Sequence, residues 1–477
     1  MYRNLILNTD SYKTSHYLQY PPQTTHVSSY IESRGGEFNQ LVFFGLQAFI
    51  KEYLCQSITI EDINEAESVI TAHGLPFNRE GWDYILQEYD GYLPLQIEAI
   101  PEGTVLPTKN VLVQVVNTDS KCFWLTSYIE TALLRAIWYP TTVATVSWQV
   151  KQIIARYLEK TADNLDDLPF KLHDFGARGT SSYETSALGG AAHLVNFMGT
   201  DTLAGIMAVR NYYNETMAGF SIPAAEHSTI TSWGQDREAQ AYENMLQFAE
   251  EGKLVAVVSD SYNLWHAIEH IWGEQLKDKV INNGGTVVIR PDSGNPVDVV
   301  CQTIEMLMEK FGFTTNSKGY RLLPDYIRVI QGDGVNLSSI RLILEAMEKK
   351  NLSAENIAFG MGGALLQKVN RDTLKFAMKT SAAKLARSLA DETSAGSLVK
   401  INHVWQDVFK DPITDKGKTS KKGRLALVKD EHNKYQTIRL EELKENINQL
   451  RPVFKNGKLL IDDTFDAIRQ RASVEIA

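Results

Sequence analysis

Cysteine is scarce. Three occur in 477 residues, and Cys55, Cys122 and Cys301 lie too far apart to form a CxxC pair. That spacing argues against a disulfide framework or a cysteine zinc site, and it fits a reducing compartment. Positive charge is also short, with 48 Lys and Arg against 58 Asp and Glu and a formal net charge of −10. A chain of this balance is not suited to coating nucleic acid or anionic membrane. Local arginines and glycine loops can still oppose the global sign around a small anion. No apolar run approaches the roughly 18 residues that suggest a membrane span. The apolar core of Met1 to Asp10 is too short for a signal peptide, so a cytoplasmic location is expected. There is no serine–histidine–aspartate or cysteine–histidine arrangement that would require covalent acyl chemistry.

What is present is ordinary in bulk and specific in pattern. A 43% hydrophobic and 22% charged composition suits a soluble globular chain long enough for two domains. Between residues 254 and 371 one pattern occurs four times: a short apolar run, a tight polar loop and a helix-like stretch. The runs are Leu254 to Val258, Thr286 to Ile289, Tyr326 to Ile330 and Asn356 to Phe359. Val- and Ile-rich runs of this length suit strands buried on both faces. The amphipathic segments between them suit crossover helices, which predicts parallel pairing of consecutive runs. All the loops after the strands then open on one face, where their polar residues converge.

Elsewhere the rhythm is mixed. Val27 to Ile31 reads as a strand running into a turn at Glu32 to Gly36. Helices are expected at Phe44 to Leu54 and Glu61 to His73, antiparallel strands over Leu93 to Asn117, and two long helices at Trp124 to Trp138 and Thr142 to Lys160. Lys171 to Phe175 reads as another strand before Gly176-Ala-Arg178-Gly179. A capping box at Ser181 to Glu184 then leads into a helix of Ala187 to Phe197. Further helices are expected from Thr202 through Tyr213 and over Gln235 to Glu251. The total approaches the eight units of a closed barrel. Thr380 to Lys400, small and polar from Leu385 on, reads as a surface insertion, followed by a basic block from Lys410 to Arg424 and a strand at Leu425 to Val428. The expected division is 1–145 as an α+β part of a smaller domain, 146–380 as an α/β barrel with the active site, and 381–477 returning to the smaller domain.

The loops carry the chemistry. Gly360-Met-Gly362-Gly363 offers bare amides at the start of a helix-like stretch, a setting for phosphate. It lacks the third glycine of a dinucleotide fingerprint and the Lys-Ser/Thr ending of a P-loop. Arg290 and Asp292 flank a proline; they read either as a turn-closing ion pair or as an arginine facing an anion or carbonyl beside an aspartate for sugar hydroxyls. Asp333 between Gly332 and Gly334 suits the same sugar, because glycine lets a polyol approach the backbone. Phe175 is either core or a platform for a planar base, where stacking contributes roughly 0.5–1.5 kcal/mol beyond burial. Asp201 is placed to accept from an amide of that base. His227 reads as a structural histidine or a reactive one. Asp10 and Tyr12 read as a helix cap and a packing residue in the absence of other context.

Long stretches of these residues also resemble the nicotinate/nicotinamide phosphoribosyltransferase family: Thr9 to Lys13, His173 to Gly176, Ala224 to Ile230, Val258 to Tyr262, Ile289 to Pro296, Val329 to Gly334 and Leu365 to Lys368. The resemblance implies an incomplete (β/α) barrel of the type II phosphoribosyltransferase kind beside a smaller α+β domain, working as a homodimer. It implies transfer of the phosphoribosyl group of 5-phosphoribosyl 1-pyrophosphate to nicotinamide, with nicotinate as the main rival substrate. By the same likeness, Phe175 and Tyr12 of a second subunit sandwich the ring, Asp201 takes the carboxamide N–H, and Arg290 lies near the amide. Asp292 and Asp333 hold the ribose, with Gly332 at its edge, and Gly362 and Gly363 hold the 5-phosphate. Arg178, Arg34, Arg371, Lys379, Lys410 and Lys418 supply charge for phosphate or pyrophosphate. His227, oriented by Asp260, matches a histidine that is phosphorylated when ATP hydrolysis is coupled to synthesis. Mg²⁺ with the basic residues would neutralise the departing pyrophosphate. The chain departs from the family in a longer link between Lys379 and Lys410, and in Ala256 where some relatives carry serine.

Overall fold

The computed structural model describes residues 4–389, 400–445 and 447–473. The chain divides into two compact units, residues 1–142 with 370–471, and residues 143–369 with 472–477.

The second unit is built on six parallel strands. In chain order these are β1 (Leu172–Asp174), β2 (Gly199–Thr200), β3 (Leu254–Val258), β4 (Thr286–Arg290), β5 (Ile327–Gln331) and β6 (Ile357–Met361). They lie side by side in the order β2-β1-β6-β5-β4-β3, every pairing parallel. Val255, Val257, Val287, Ile289, Ile327 and Val329 are fully buried, as β-branched residues covered on both sheet faces should be. Opposite-facing residues fill the interior: Ala256, Val288 and Ile330 are buried, with Phe175, Ile222 and Ala358 packed against them.

The sheet stops short of the eight strands that the repeating pattern suggests. An extended segment takes up the gap between its edges. Phe220 bridges to Gly199 on β2 and Ala224 bridges to Ala256 on β3, both in parallel sense. Thr200 N donates to Phe220 O at 3.0 Å, and Ala225 N donates to Ala256 O at 2.9 Å. Gly219, Pro223 and the polar residues around them break the apolar alternation, so this closing segment does not read as a strand.

The helices of this unit begin where side chains can cap them. Asn295 accepts from Val297 N at 3.0 Å ahead of Pro296–Phe311, with Pro296 in the first turn, where its missing N–H leaves no bond unmade. Asn336 makes a capping box with Ser339 for Leu337–Lys349. The helix after β1 is Tyr183–Leu194, capped by Ser182 accepting from Thr185 N at 3.1 Å. The cap therefore lies one residue beyond the expected Ser181 and the helix begins four residues before Ala187. The expected helix over Gln235 to Glu251 is α-helical only at Glu238–Met245.

The first unit holds a seven-stranded sheet. Within it Thr24–Ser33 pairs antiparallel with Val111–Asn117 on one side and Phe376–Leu389 on the other. Residues 380–389 thus belong to a long strand; residues 390–399 of the expected insertion lie outside the described residues. Small side chains made this strand look like a loop, but Ser381, Ala382 and Ala383 are buried against the neighbouring strand, where Ala383 stands opposite Val27. The expected pair of long helices is mainly one, Glu130–Thr161, which continues through Pro140. Proline normally ends a helix by removing a donor to the carbonyl four residues back. Here the backbone of Gly45, at φ +108°, packs on the Pro140 ring, and a Cβ there would lie 2.9 Å from Ala136 O. Among the described residues, no helix is long and apolar enough to cross a membrane.

Candidate active site

The C-terminal ends of the parallel strands bring the loop residues together. At the end of β1 the chain turns so that Phe175 N donates to Met361 O at 3.0 Å, laying the Phe175 ring over the neighbouring strand ends. A Cβ on Gly360 would sit 1.9 Å from Phe175 Cε2, so the ring occupies the space that a side chain on β6 would need. A Cβ on Gly332 would lie 3.5 Å from the same ring atom and 3.2 Å from Asp292 Oδ1. Gly332 therefore stands between the aromatic ring and the Asp292 carboxylate, with the Asp333 carboxylate one residue further along its loop.

A polar row continues from there. Arg290 Nη2 lies 3.7 Å from Asp292 Oδ2, which lies 4.0 Å from His227 Nδ1. His227 Nε2 donates to Asp260 Oδ1 at 2.9 Å. This bond fixes the ring orientation and turns Nδ1 towards Asp292. The Asp260 side chain is 5% exposed while that of His227 is 46% exposed, so the histidine is gripped from beneath and open above. Burial pushes the Asp292 carboxyl above the usual aspartate range. The charges of Asp260 and Asp333 act in the same direction, and Arg290 and His227 oppose it. This end of the site is thus a concentration of negative charge suited to hydroxyl donors or a cation.

Asp201 lies just beyond β2. Its carboxylate accepts from His173 Nε2 at 2.9 Å and from the Ser221 hydroxyl. Burial raises its affinity for a proton, but these two hydrogen bonds and the nearby charges of His173 and Arg290 outweigh that, and its pKa is lowered. Asp201 is therefore an ionised acceptor at neutral pH. Beneath it Asp174 is wholly buried, accepts from Gly176 N at 2.7 Å, and through its carbonyl accepts from Asp201 N at 3.0 Å.

The glycine loop closes the other end. A Cβ on Gly362 would lie 3.6 Å from Phe175 O, whereas one on Gly363 would meet nothing within 4 Å. The turn Ala177–Gly179, which carries the exposed Arg178, comes close enough that a Cβ on Gly179 would be 3.5 Å from Gly363 Cα. Ser181 N donates to Gln367 Oε1 at 3.0 Å and ties the two loops together. An open glycine backbone at a helix start beside an arginine is able to take a phosphate.

Six expected residues belong to the other unit. Tyr12 is 58% exposed on the 3₁₀-helix Ser11–Leu18, edge-on to His16 with ring centroids 5.2 Å apart. Lys379 is held below the usual lysine range by burial and by the charges of Arg34, Lys13 and Lys410, with Glu130 acting against them. Those four cations share one neighbourhood. Arg34 Nε donates to Glu32 at 3.2 Å, and its buried Nη2 has no hydrogen-bond partner among the described residues. Arg371 and Lys418 are exposed, 3.7 Å and 3.6 Å from Asp372 and Asp415 respectively.

Three participants have no role assigned from the sequence alone: His173 and Ser221 hold Asp201, and Asp174 supports it from below. Gly360, expected as part of the phosphate loop, lies instead within β6 and makes room for Phe175. His173 and Asp174 were visible in the His173 to Gly176 motif. Ser221 gave no signal, because it stands on the irregular closing segment.

Known proteins similar to this chain are found both by sequence and by fold. Residues 170–458 match the nicotinate phosphoribosyltransferase (NAPRTase) family, and residues 4–97 match the nicotinamide phosphoribosyltransferase N-terminal domain. A nicotinamide phosphoribosyltransferase of Xanthomonas campestris pv. campestris is 53% identical over 476 residues, covering 98% of each chain. One from Acinetobacter baylyi is 30% identical over 98% of this chain and 96% of its own. Among solved structures, nicotinate-nucleotide pyrophosphorylase from Pyrococcus furiosus shares the fold, with a TM-score of 0.58 at 15% identity over 99% of this chain and 97% of its own.

The close packing of Phe175 on bare backbone has a direct consequence. Gly360→Ala is expected to displace the ring and lower kcat/KM for the ring-bearing substrate by about tenfold or more, ~1.4 kcal/mol of transition-state stabilisation. The far-ultraviolet circular dichroism should be retained. Steady-state kinetics on the purified variant check this.

Proposed function

The chain belongs to the nicotinate phosphoribosyltransferase family, and we propose that it makes nicotinamide mononucleotide and pyrophosphate from nicotinamide and 5-phosphoribosyl 1-pyrophosphate, as an NAD salvage enzyme. The observation that carries the choice of nicotinamide over nicotinate is Asp201. Its carboxylate is ionised and fixed by His173 and Ser221, so it accepts from a carboxamide N–H and repels a carboxylate.

The reaction asks for little beyond positioning and charge. The pyridine nitrogen attacks C1 of the ribose with its own lone pair as the C1–O bond to pyrophosphate breaks. No proton has to be removed, and no nucleophilic side chain is needed. Phe175 supplies one face for the ring, Arg290 lies beside its amide, and Asp292 and Asp333 take the ribose hydroxyls. Gly362 and Gly363 take the 5-phosphate, with Arg178 beside them. Holding both reactants in line is worth several kcal/mol of barrier. By the family likeness, neutralising the negative charge of the leaving pyrophosphate falls to Arg34, Lys379 and Lys410, with Arg371 and Lys418. In a homodimer, the exposed Tyr12 of a second copy would cover the other face of the ring.

Mg²⁺ fits the residues present. Among the described residues no three His, Cys, Asp or Glu side chains form a metal cage. The crowded carboxylates of Asp292 and Asp333 suit an ion that keeps several waters and takes its remaining oxygens from phosphates. When bound it would neutralise charge on the pyrophosphate. His227, half exposed, with Nε2 held by Asp260 and Nδ1 facing Asp292, is the residue for a phosphohistidine that couples ATP hydrolysis to synthesis.

A turnover assay with nicotinamide and nicotinate, each with and without ATP, tests the proposal. Nicotinamide should be preferred, and Asp201→Asn should reduce that preference about tenfold, ~1.4 kcal/mol. Equal turnover of both bases by the parent would reject the assignment, and absence of pyrophosphate release would point to a binding protein on this scaffold. His227→Ala should keep basal synthesis and lose stimulation by ATP; full stimulation of that variant would rule out the phosphohistidine.

A further inference from the structure

The helix after β3 carries a feature that phosphoribosyl transfer does not use. Asn263 caps it by accepting from His266 N at 3.1 Å. It runs as an α-helix over Leu264–His266 and widens to π form over Ala267–Gln275. His266 and His270 stand side by side, ring centroids 4.9 Å apart and planes inclined by 48°. Two imidazoles on one tetrahedral ion, with N–metal bonds of about 2.0–2.1 Å, place their ring centres roughly 5 Å apart. His270 Nδ1 donates to Glu274 Oε2 at 3.0 Å, and Glu274 also accepts from Lys310 Nζ at 3.0 Å. The carboxylate fixes the tautomer and leaves Nε2 of His270 with its lone pair, as in carboxylate–histidine–metal arrangements. Glu269 Oε2, 3.9 Å from that nitrogen, adds negative charge where a cation would sit.

We propose that His266 and His270 chelate one divalent transition-metal ion of the zinc, nickel or copper kind, with Glu274 orienting His270. Imidazole pairs suit these ions and not Mg²⁺ or Ca²⁺. His266-Ala-Ile-Glu269-His270 has the H-x-x-E-H order of one class of zinc hydrolases. Here the protein provides two ligands, water completes the shell, and the site binds metal without a hydrolytic role. The same helix buries Trp272, whose Nε1 donates to Ser259 Oγ at 3.1 Å, so the chelate is joined by one element to the loop that carries Asp260.

Calorimetric titration of Zn²⁺ into the EDTA-treated, dialysed full chain tests this. The parent should bind one ion that His266→Gln and His270→Gln each weaken at least tenfold, and Glu274→Gln should weaken it about 10–100-fold. All three side chains lie at the surface, so thermal melting of the metal-free variants should match the parent. Electron paramagnetic resonance of the Cu²⁺-loaded chain should show two coordinated imidazole nitrogens in the parent and one in either histidine variant. Isotherms unchanged by both histidine substitutions, or no binding by the parent, would overturn the proposal.

Discussion

Parallel pairing of the six barrel strands is the constraint behind every feature of the site. When neighbouring strands run the same way, each must be followed by a crossover, and each turn into that crossover lies on the same rim. Phe175, Asp201, Asp260, Asp292, Asp333 and Gly362 each follow a different strand, yet their backbones and carboxylates lie within a few contacts of one another. An antiparallel arrangement of the same strands would alternate these turns between two ends and separate them. The buried valines and isoleucines that enforce parallel pairing thus also assemble the polar site.

The closing segment shows how closely architecture and chemistry are joined. Residues 220–225 hydrogen-bond to both edges of the sheet. Along that one stretch Ser221 reaches Asp201, Ile222 enters the barrel interior, and the chain arrives at His227 opposite Asp260. Losing the segment would open the barrel, take Ser221 from Asp201 and displace His227 from Asp260 together. Phe175 has a comparable double part: it packs with the interior layer and lays its ring across the strand ends, which is why Gly360 and Gly332 stand beside it bare.

Much of this was legible in the residues. The four apolar runs from 254 to 359 announced parallel strands because burial on both faces demands a continuous Val- and Ile-rich run, and the loops after them carried the aspartates, the arginine and the glycines. What the residues did not reveal follows from contacts between distant parts of the chain. Pro140 reads as a helix break until Gly45, far away in sequence, is seen to pack on it. Ser381 to Ala383 look like a loop until the strand Thr24–Ser33 lies alongside. The barrel closes through a segment whose partners are two strands and not a helical or strand period of its own. The part of His173 and Ser221 as the donors that keep Asp201 charged becomes visible only in the folded chain. In each case local pattern gave way to a tertiary partner.

The most direct measurement of the central claim is a crystal structure with bound nicotinamide mononucleotide. The pyridine ring should lie on Phe175 with its carboxamide at Asp201, the ribose hydroxyls on Asp292 and Asp333, and the phosphate at Gly362 and Gly363. A nucleotide bound away from this rim, or one whose phosphate lies at Asp292 and whose ring leaves Phe175 uncovered, would contradict the account.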